Sequence, residues 1–451
     1  MMPPGTTLSR WTMSYFGAAV LFLMLAEFLL SAGWWRPSFD VTEPRALIVV
    51  HCITIGWLGL LMMGALFQFT PVLTGLSLPT ERLNLPCLIG SVLGLCLLLS
   101  GFDRMDVGSP ATGAILFAAA IVLLITLCAL AGMLFAGLWQ AIKPHAAAPF
   151  VMIGLVCFIL TIGLGACFAV SLSGLGFPPR MIEIVTLLAP FHAGFGLVGW
   201  MTFAAIGVTY KLLPMFLLSD DVQSPSFVRG SGLLALAVLA IASITSAFDT
   251  AWAGRGAIVS GVMFQFCIAA YLVDLVRIYR GRRRKSLELN TLGSIPAFVL
   301  MATSAPLFVI AMVFDLDSRV TVAAAYLFVF GWLTGLGLAQ LLKIVPFLTW
   351  IEAFGPLLGR RPTPRLGELI NDSRSITWLG VFYLAVLLAA AAIAAGSDLA
   401  FQAAALCQAL STGALAVEFV RARSLANVPL SAKSPPLSHP ALFHASNPPE
   451  R

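Results

Sequence analysis

A chain of 451 residues that is 59% hydrophobic, 10% charged and has a mean hydropathy of +0.97 is not a soluble globular protein, in which about a quarter of side chains carry charge. Its net charge of +6 is spread over short connections, so it reads as a topology signal and not as a nucleic-acid-binding face. The eight cysteines form no C-x-x-C motif and no pair in an outer connection where a disulfide would form, which leaves them as small apolar packing residues.

Apolar runs of about twenty residues, the length that crosses a bilayer, recur along the whole chain. Twelve are predicted, at roughly 12–32, 46–70, 84–101, 111–139, 149–173, 184–213, 230–248, 256–277, 293–314, 320–345, 376–396 and 399–420. The expected fold is an all-α polytopic membrane protein with one membrane domain over 1–423. A tail over 424–451, rich in Pro, Ser and Ala, is expected to be disordered. Lys and Arg are retained on the cytoplasmic side. Placing the N-terminus there leaves only Arg36, Arg45, Arg104, Arg180, Arg255 and Arg319 outside, and twelve spans return the C-terminus to the same side. This is the layout of a multi-pass protein of a bacterial-type inner membrane, its first span an uncleaved anchor.

The first span carries Glu27 near its outer end, and the second enters from that side with His51 at a similar depth. An ionisable group there faces the bundle interior and has a partner, so Glu27 is expected to fix the tautomer of His51, the alternative being that it snorkels to the headgroups. Trp34 and Trp35 in the outer connection read as interfacial anchors. Spans three to five contain neither acidic residue nor histidine, and His145 with Lys143 falls in an inner connection. The sixth span opens with Glu183 and has Pro190 just before His192, a placing that kinks a helix and frees a carbonyl. The basic run Arg280, Arg282, Arg283, Arg284 and Lys285 enforces topology and contacts anionic lipid. Connection 347–375 mixes both signs of charge, and His439 and His444 lie in the tail.

One stretch, His51–Pro71, is written three times. Gly56-Trp57, Gly199-Trp200 and Gly331-Trp332 each have a proline fourteen residues after the tryptophan: Pro71, Pro214 and Pro346. Position +11 is polar in each (Gln68, Lys211, Lys343), and position +7 is small (Gly64, Gly207, Ala339). The copies fall in spans two, six and ten. That spacing implies three pseudo-repeated arcs of four helices, roughly 376–423 with 1–70, 84–215 and 230–346. His51 precedes its tryptophan by six residues and His192 by eight, while the third copy has Ala324 and Tyr326 there. Two residues turn a helix by about 200°, so the two histidines need not face one site. An imidazole among apolar residues in a bilayer either ligates something or is hydrogen-bonded. Imidazole suits haem iron and copper, with Trp57 and Trp200 packed around the ligands and Cys52, Met62 and Met63 as weak soft donors. Gln68, Lys211 and Lys343 read as snorkelling residues at the inner ends.

Twelve spans in three arcs, with candidate ligands on spans two, six and ten, resemble subunit I of the haem–copper oxidase superfamily, nearest in style to the cbb3-type and nitric-oxide-reductase branches. The stretches VVHCITIGWLGLLMMGALFQFTPVLTG and FHAGFGLVGWMTFAAIGVTYKLLPMF also resemble NnrS-like haem- and copper-associated membrane proteins. The resemblance implies that His51 matches the span-two haem ligand and that His192 occupies the span-six region of a copper ligand. The family's span-seven histidine pair is missing, and its span-ten H-x-H reads Ala324-Ala325-Tyr326, which excludes a haem held between spans two and ten unless Tyr326 or another group substitutes. The expectation is a haem- or copper-binding protein without a binuclear oxygen-reducing centre, acting in respiratory electron transfer, nitric-oxide response or haem and copper handling. Other respiratory membrane subunits or a c-type cytochrome would be its partners. A secondary transporter of a small solute or metal and a cofactor-free structural subunit are the competing readings, and no inverted pair of interrupted helices favours the transporter.

Overall fold

A chain in lipid must satisfy its backbone N–H and C=O groups internally, so apolar runs of this length fold as helices. The computed structural model describes residues 9–36, 40, 42–74, 81–139, 146–222, 225–249, 251–360, 362–429 and 440–445. His145, Lys143 and His439 lie outside them. Among the described residues there is no strand, and twelve helices are long and apolar enough to cross a membrane. They are α1 (Thr12–Ser31), α2 (Pro44–Pro71), α3 (Asn84–Val107), α4 (Thr112–Trp139), α5 (Ala147–Ser173) and α6 (Ala189–Leu217), then α7 (Ser226–Ser246), α8 (Gly254–Arg280), α9 (Leu289–Val313), α10 (Ser318–Leu357), α11 (Asp372–Ala395) and α12 (Asp398–Arg423). Several outrun the apolar runs that foretold them. α10 ends at Leu357 and not near 345, because a helix continues into the polar zone wherever its side chains find partners there.

The start of α6 departs from expectation. Pro190 sits in the first turn of a helix beginning at Ala189, where its missing N–H costs nothing. Glu183 belongs to a separate short helix, Pro179–Leu187, and is exposed. The proline therefore starts the span and does not kink it.

Neighbouring helices pack in a regular order. α11, α12, α1 and α2 touch in sequence, as do α3 to α6 and α7 to α10. The last helix of each run also meets the first two of the next: α2 with α3 and α4, α6 with α7 and α8, α10 with α11 and α12. α2, α6 and α10 are the most buried, with 56, 61 and 72% of their apolar stretches inside the protein against at most 50% for the others.

The Gly-Trp pairs explain that burial. Between helices in lipid there is no hydrophobic drive, so close approach at small residues carries the packing. A Cβ at Gly56 would lie 2.6 Å from Phe22 of α1, at Gly199 2.6 Å from Cys157 of α5, and at Gly331 2.7 Å from Leu300 of α9. The small residue eight positions on meets the same neighbour: Gly64 faces Tyr15 of α1, Gly207 faces Val151 of α5, and Ala339 faces Gly293 of α9. Eight residues of straight α-helix overshoot two turns by roughly 80°. Each of the three helices carries a π-helical stretch at this point, Cys52–Gly59, Gly194–Thr202 and Leu327–Thr334, whose wider i→i+5 turns absorb the excess. Trp57, Trp200 and Trp332 are then all fully buried on the inner side.

Arg10 and Ala445 lie together on one face, the Ala445 amide donating to the Arg10 carbonyl at 2.9 Å. We call this the terminal face and the opposite side the distal face. Residues 440–445, inside the tail expected to be disordered, are docked here. Arg423 donates from Nε to the Ala441 carbonyl (2.7 Å) and from Nη2 to that of His444 (2.9 Å), while its buried guanidinium pairs with Glu352 at 2.6 Å. The reason is that an Arg at the buried end of α12 carries more donors than Glu352 alone can accept.

Candidate functional site

His51 closes the first α-helical part of α2, one residue before the π-helical stretch. Its Nδ1 lies 2.7 Å from the Leu47 carbonyl, one turn back, and its ring packs on Phe102 of α3 with centroids 5.2 Å apart. His192 stands in the first turns of α6, and its Nδ1 lies 3.1 Å from the Thr161 carbonyl of α5. The edge of Phe168 meets that ring at 5.5 Å, and Gly165 leaves room for it, because a Cβ there would come within 3.1 Å. A carbonyl only accepts, so in each ring Nδ1 carries the hydrogen and Nε2 keeps its lone pair. No described protein group is hydrogen-bonded to either Nε2. The His51 ring turns toward α3 and the His192 ring toward α5, two helices of one run, both near the distal face.

Glu27 is not the partner of His51. Its Oε1 accepts from Gln408 Nε2 (2.9 Å) and Thr412 Oγ1 (3.1 Å) of α12, and it is fully buried, which also removes the snorkelling alternative. The reason is azimuth: α1 packs on both α2 and α12, and Glu27 faces α12 while His51 has turned to α3. Tyr326 joins the same cluster. Its hydroxyl donates to Gln408 Oε1 at 2.7 Å, and its ring lies tilted against Phe330 and edge-on to Phe401. Glu27 and Tyr326 therefore share one cluster, and His51 and His192 stand outside it.

Trp57 donates from Nε1 to Thr334 Oγ1 of α10 at 3.0 Å, tying α2 to α10 at the centre. Trp200, on the same helix as His192, stacks on Phe158 of α5 at 4.7 Å. Cys52 and Met63 are buried in α2, and among the described residues no group of three or more His, Cys, Asp or Glu converges. At the terminal face the three +11 residues are partnered. Gln68 Oε1 accepts from the Ser9 amide at 3.2 Å, Lys211 pairs with Asp221 at 3.8 Å and Lys343 with Glu288 at 2.8 Å.

Sequence reasoning missed Gln408, Thr412, Thr334, Glu352 and Arg423, neutral or end-of-helix residues with no spacing signal. It also missed two buried acids that do carry one. Val273-Asp274-Leu275-Val276-Arg277 in α8 and Val417-Glu418-Phe419-Val420-Arg421 in α12 share a pattern four spans apart. Asp274 accepts from Tyr210 (2.9 Å) and Arg277 (3.1 Å); Glu418 pairs with Arg374 (2.9 Å) and Arg421 (2.7 Å). No protein-family model matches the chain, and no curated protein matches it in sequence.

Proposed function

We propose that the chain is a haem- or copper-binding membrane protein, a divergent relative of haem–copper oxidase subunit I, built as three pseudo-repeated arcs with both termini cytoplasmic in a bacterial-type inner membrane. The arc reading is supported by the recurring helix contacts, the three π-helical stretches and the paired acid–arginine motifs. The ligand reading rests on one observation. Both imidazoles spend Nδ1 on a backbone carbonyl and keep the Nε2 lone pair. That is how metal-ligating histidines are held, the carbonyl setting the tautomer and aiming the ring. The donor set thus fits an imidazole-ligated iron or copper.

His51 and His192 would bind the group through Nε2, Leu47 and Thr161 would orient the rings, and Phe102 and Phe168 would shield them from water. When bound, haem or copper supplies one-electron chemistry or an open position for a diatomic gas. The chain's role is then electron transfer, nitric-oxide response or haem and copper handling, alongside respiratory subunits or a c-type cytochrome. The test is an absorption spectrum with metal analysis of the detergent-purified full chain, produced under respiratory conditions. The expected result is a Soret band or stoichiometric copper, lost in His51→Ala and His192→Ala. Wild-type protein holding neither haem nor copper would end the proposal.

A further inference from the structure

Glu27 is the single acidic residue of α1, fully buried, with hydrogen bonds arriving at one oxygen only. The donors run in one direction: Tyr326 Oη to Gln408 Oε1, then Gln408 Nε2 to Glu27 Oε1, with Thr412 Oγ1 donating to the same atom. Glu27 Oε2 is buried and has no hydrogen-bond partner among the described residues. None of the ion pairs described includes Glu27. A bare carboxylate in such a place is too costly to persist, and no described residue supplies a counter-charge. A metal cation needs several oxygen ligands, and Oε2 stands alone, whereas a proton needs only that atom.

We propose that Glu27 is a proton-exchange site, with Oε2 the atom that takes up and releases the proton while Oε1 stays fixed by Gln408 and Thr412. The transfer is a plain acid–base step: one O–H bond forms or breaks at Oε2, with no other bond changing. From α12 the site is faced by an amide and a hydroxyl, and from α10 by the Tyr326 hydroxyl through Gln408. The titratable groups of α2 are Arg45, His51 and Cys52: Arg45 pairs with Asp106, the His51 ring is turned to Phe102 of α3, and none is hydrogen-bonded to Glu27. The site is built by α1, α10 and α12, so it stands whether or not the histidines hold a metal.

Infrared difference spectroscopy of the full chain in liposomes, between acid and alkaline buffer, tests this. The expected result is a protonated-carboxyl C=O band that responds to pH and to deuterium exchange, is lost in Glu27→Gln and is shifted but retained in Tyr326→Phe. A wild-type spectrum without such a band, a band that survives Glu27→Gln, or a band that ignores Tyr326→Phe would each overturn the proposal. The Tyr326→Phe arm decides the matter even where Glu27→Gln does not fold.

Discussion

Replacing Gly56 by alanine probes the close approach that seats α2 against α1. The added methyl would lie 2.6 Å from Phe22 Cβ and Cγ and 3.1 Å from Leu95. Carbon atoms in good contact stand about 3.5–4.0 Å apart. Phe22 Cβ is tied to its own backbone, so relief requires α1 to recede by about 1 Å. Overpacking of this kind costs about 1–3 kcal/mol. Alanine also gains about 1 kcal/mol over glycine in a helix, which would mask part of the loss. Gly132 in α4 supplies the control, because a Cβ there meets nothing within 4 Å, leaving the propensity gain alone. The assay is thermal unfolding of the purified chain in detergent, followed by tryptophan fluorescence. Gly56→Ala is expected to melt well below Gly132→Ala, by the equivalent of about 1–3 kcal/mol. Equal melting of the two variants would refute the packing argument, and with it the reason given for a glycine before each of the three tryptophans.

Two further predictions concern charged groups. Asp317 caps α10, accepting from the Arg319 amide at 2.9 Å and pairing with its guanidinium, and those hydrogen bonds hold its carboxyl down at about 2. Because the folded value lies below the ordinary one, the cap's contribution is complete above the ordinary carboxylate range and is lost as pH falls through about 2. Amide protection in the first turn of α10 should fall across that window and show no such step in Asp317→Ala. At the terminal face, Arg423→Met removes a guanidinium buried against Glu352, side chains that are 3% and 6% exposed, and should cost about 3–5 kcal/mol. The same change should release residues 440–445, read as loss of hydrogen-exchange protection at the Ala445 amide; retained protection there would show that Arg423 does not hold the tail.

Much of the fold was legible because bilayer spans are a local property. Length and hydropathy placed the twelve helices to within about five residues, except where polar partners prolong α3 to Val107 and α10 to Leu357. The Gly-Trp frame was legible too, since the same packing demand recurs in three helices and leaves the same residues at the same offsets. The site was legible only in part. His51 and His192 could be picked out as ionisable groups within spans, but 200° of helical rotation between their registers left their common side open, and the π-helical stretches that alter that rotation have no clear sequence mark.

Read alone, the residues establish a polytopic helical protein, one Gly-Trp frame shared by α2, α6 and α10, and the place of Glu27, His51 and His192 within spans. Those conclusions depend on hydropathy, spacing and residue type, all readable along one dimension. Only the tertiary structure decided who meets whom. It turned Glu27 away from His51 and onto Gln408, gave Tyr326 to the same cluster, set both histidines on backbone carbonyls and laid part of the tail over Arg423. Each of those outcomes depends on the azimuth of a side chain and on a partner, near in sequence like Leu47 or 381 residues away like Gln408, that is often a neutral Gln, Thr or carbonyl that nothing in the local sequence distinguishes.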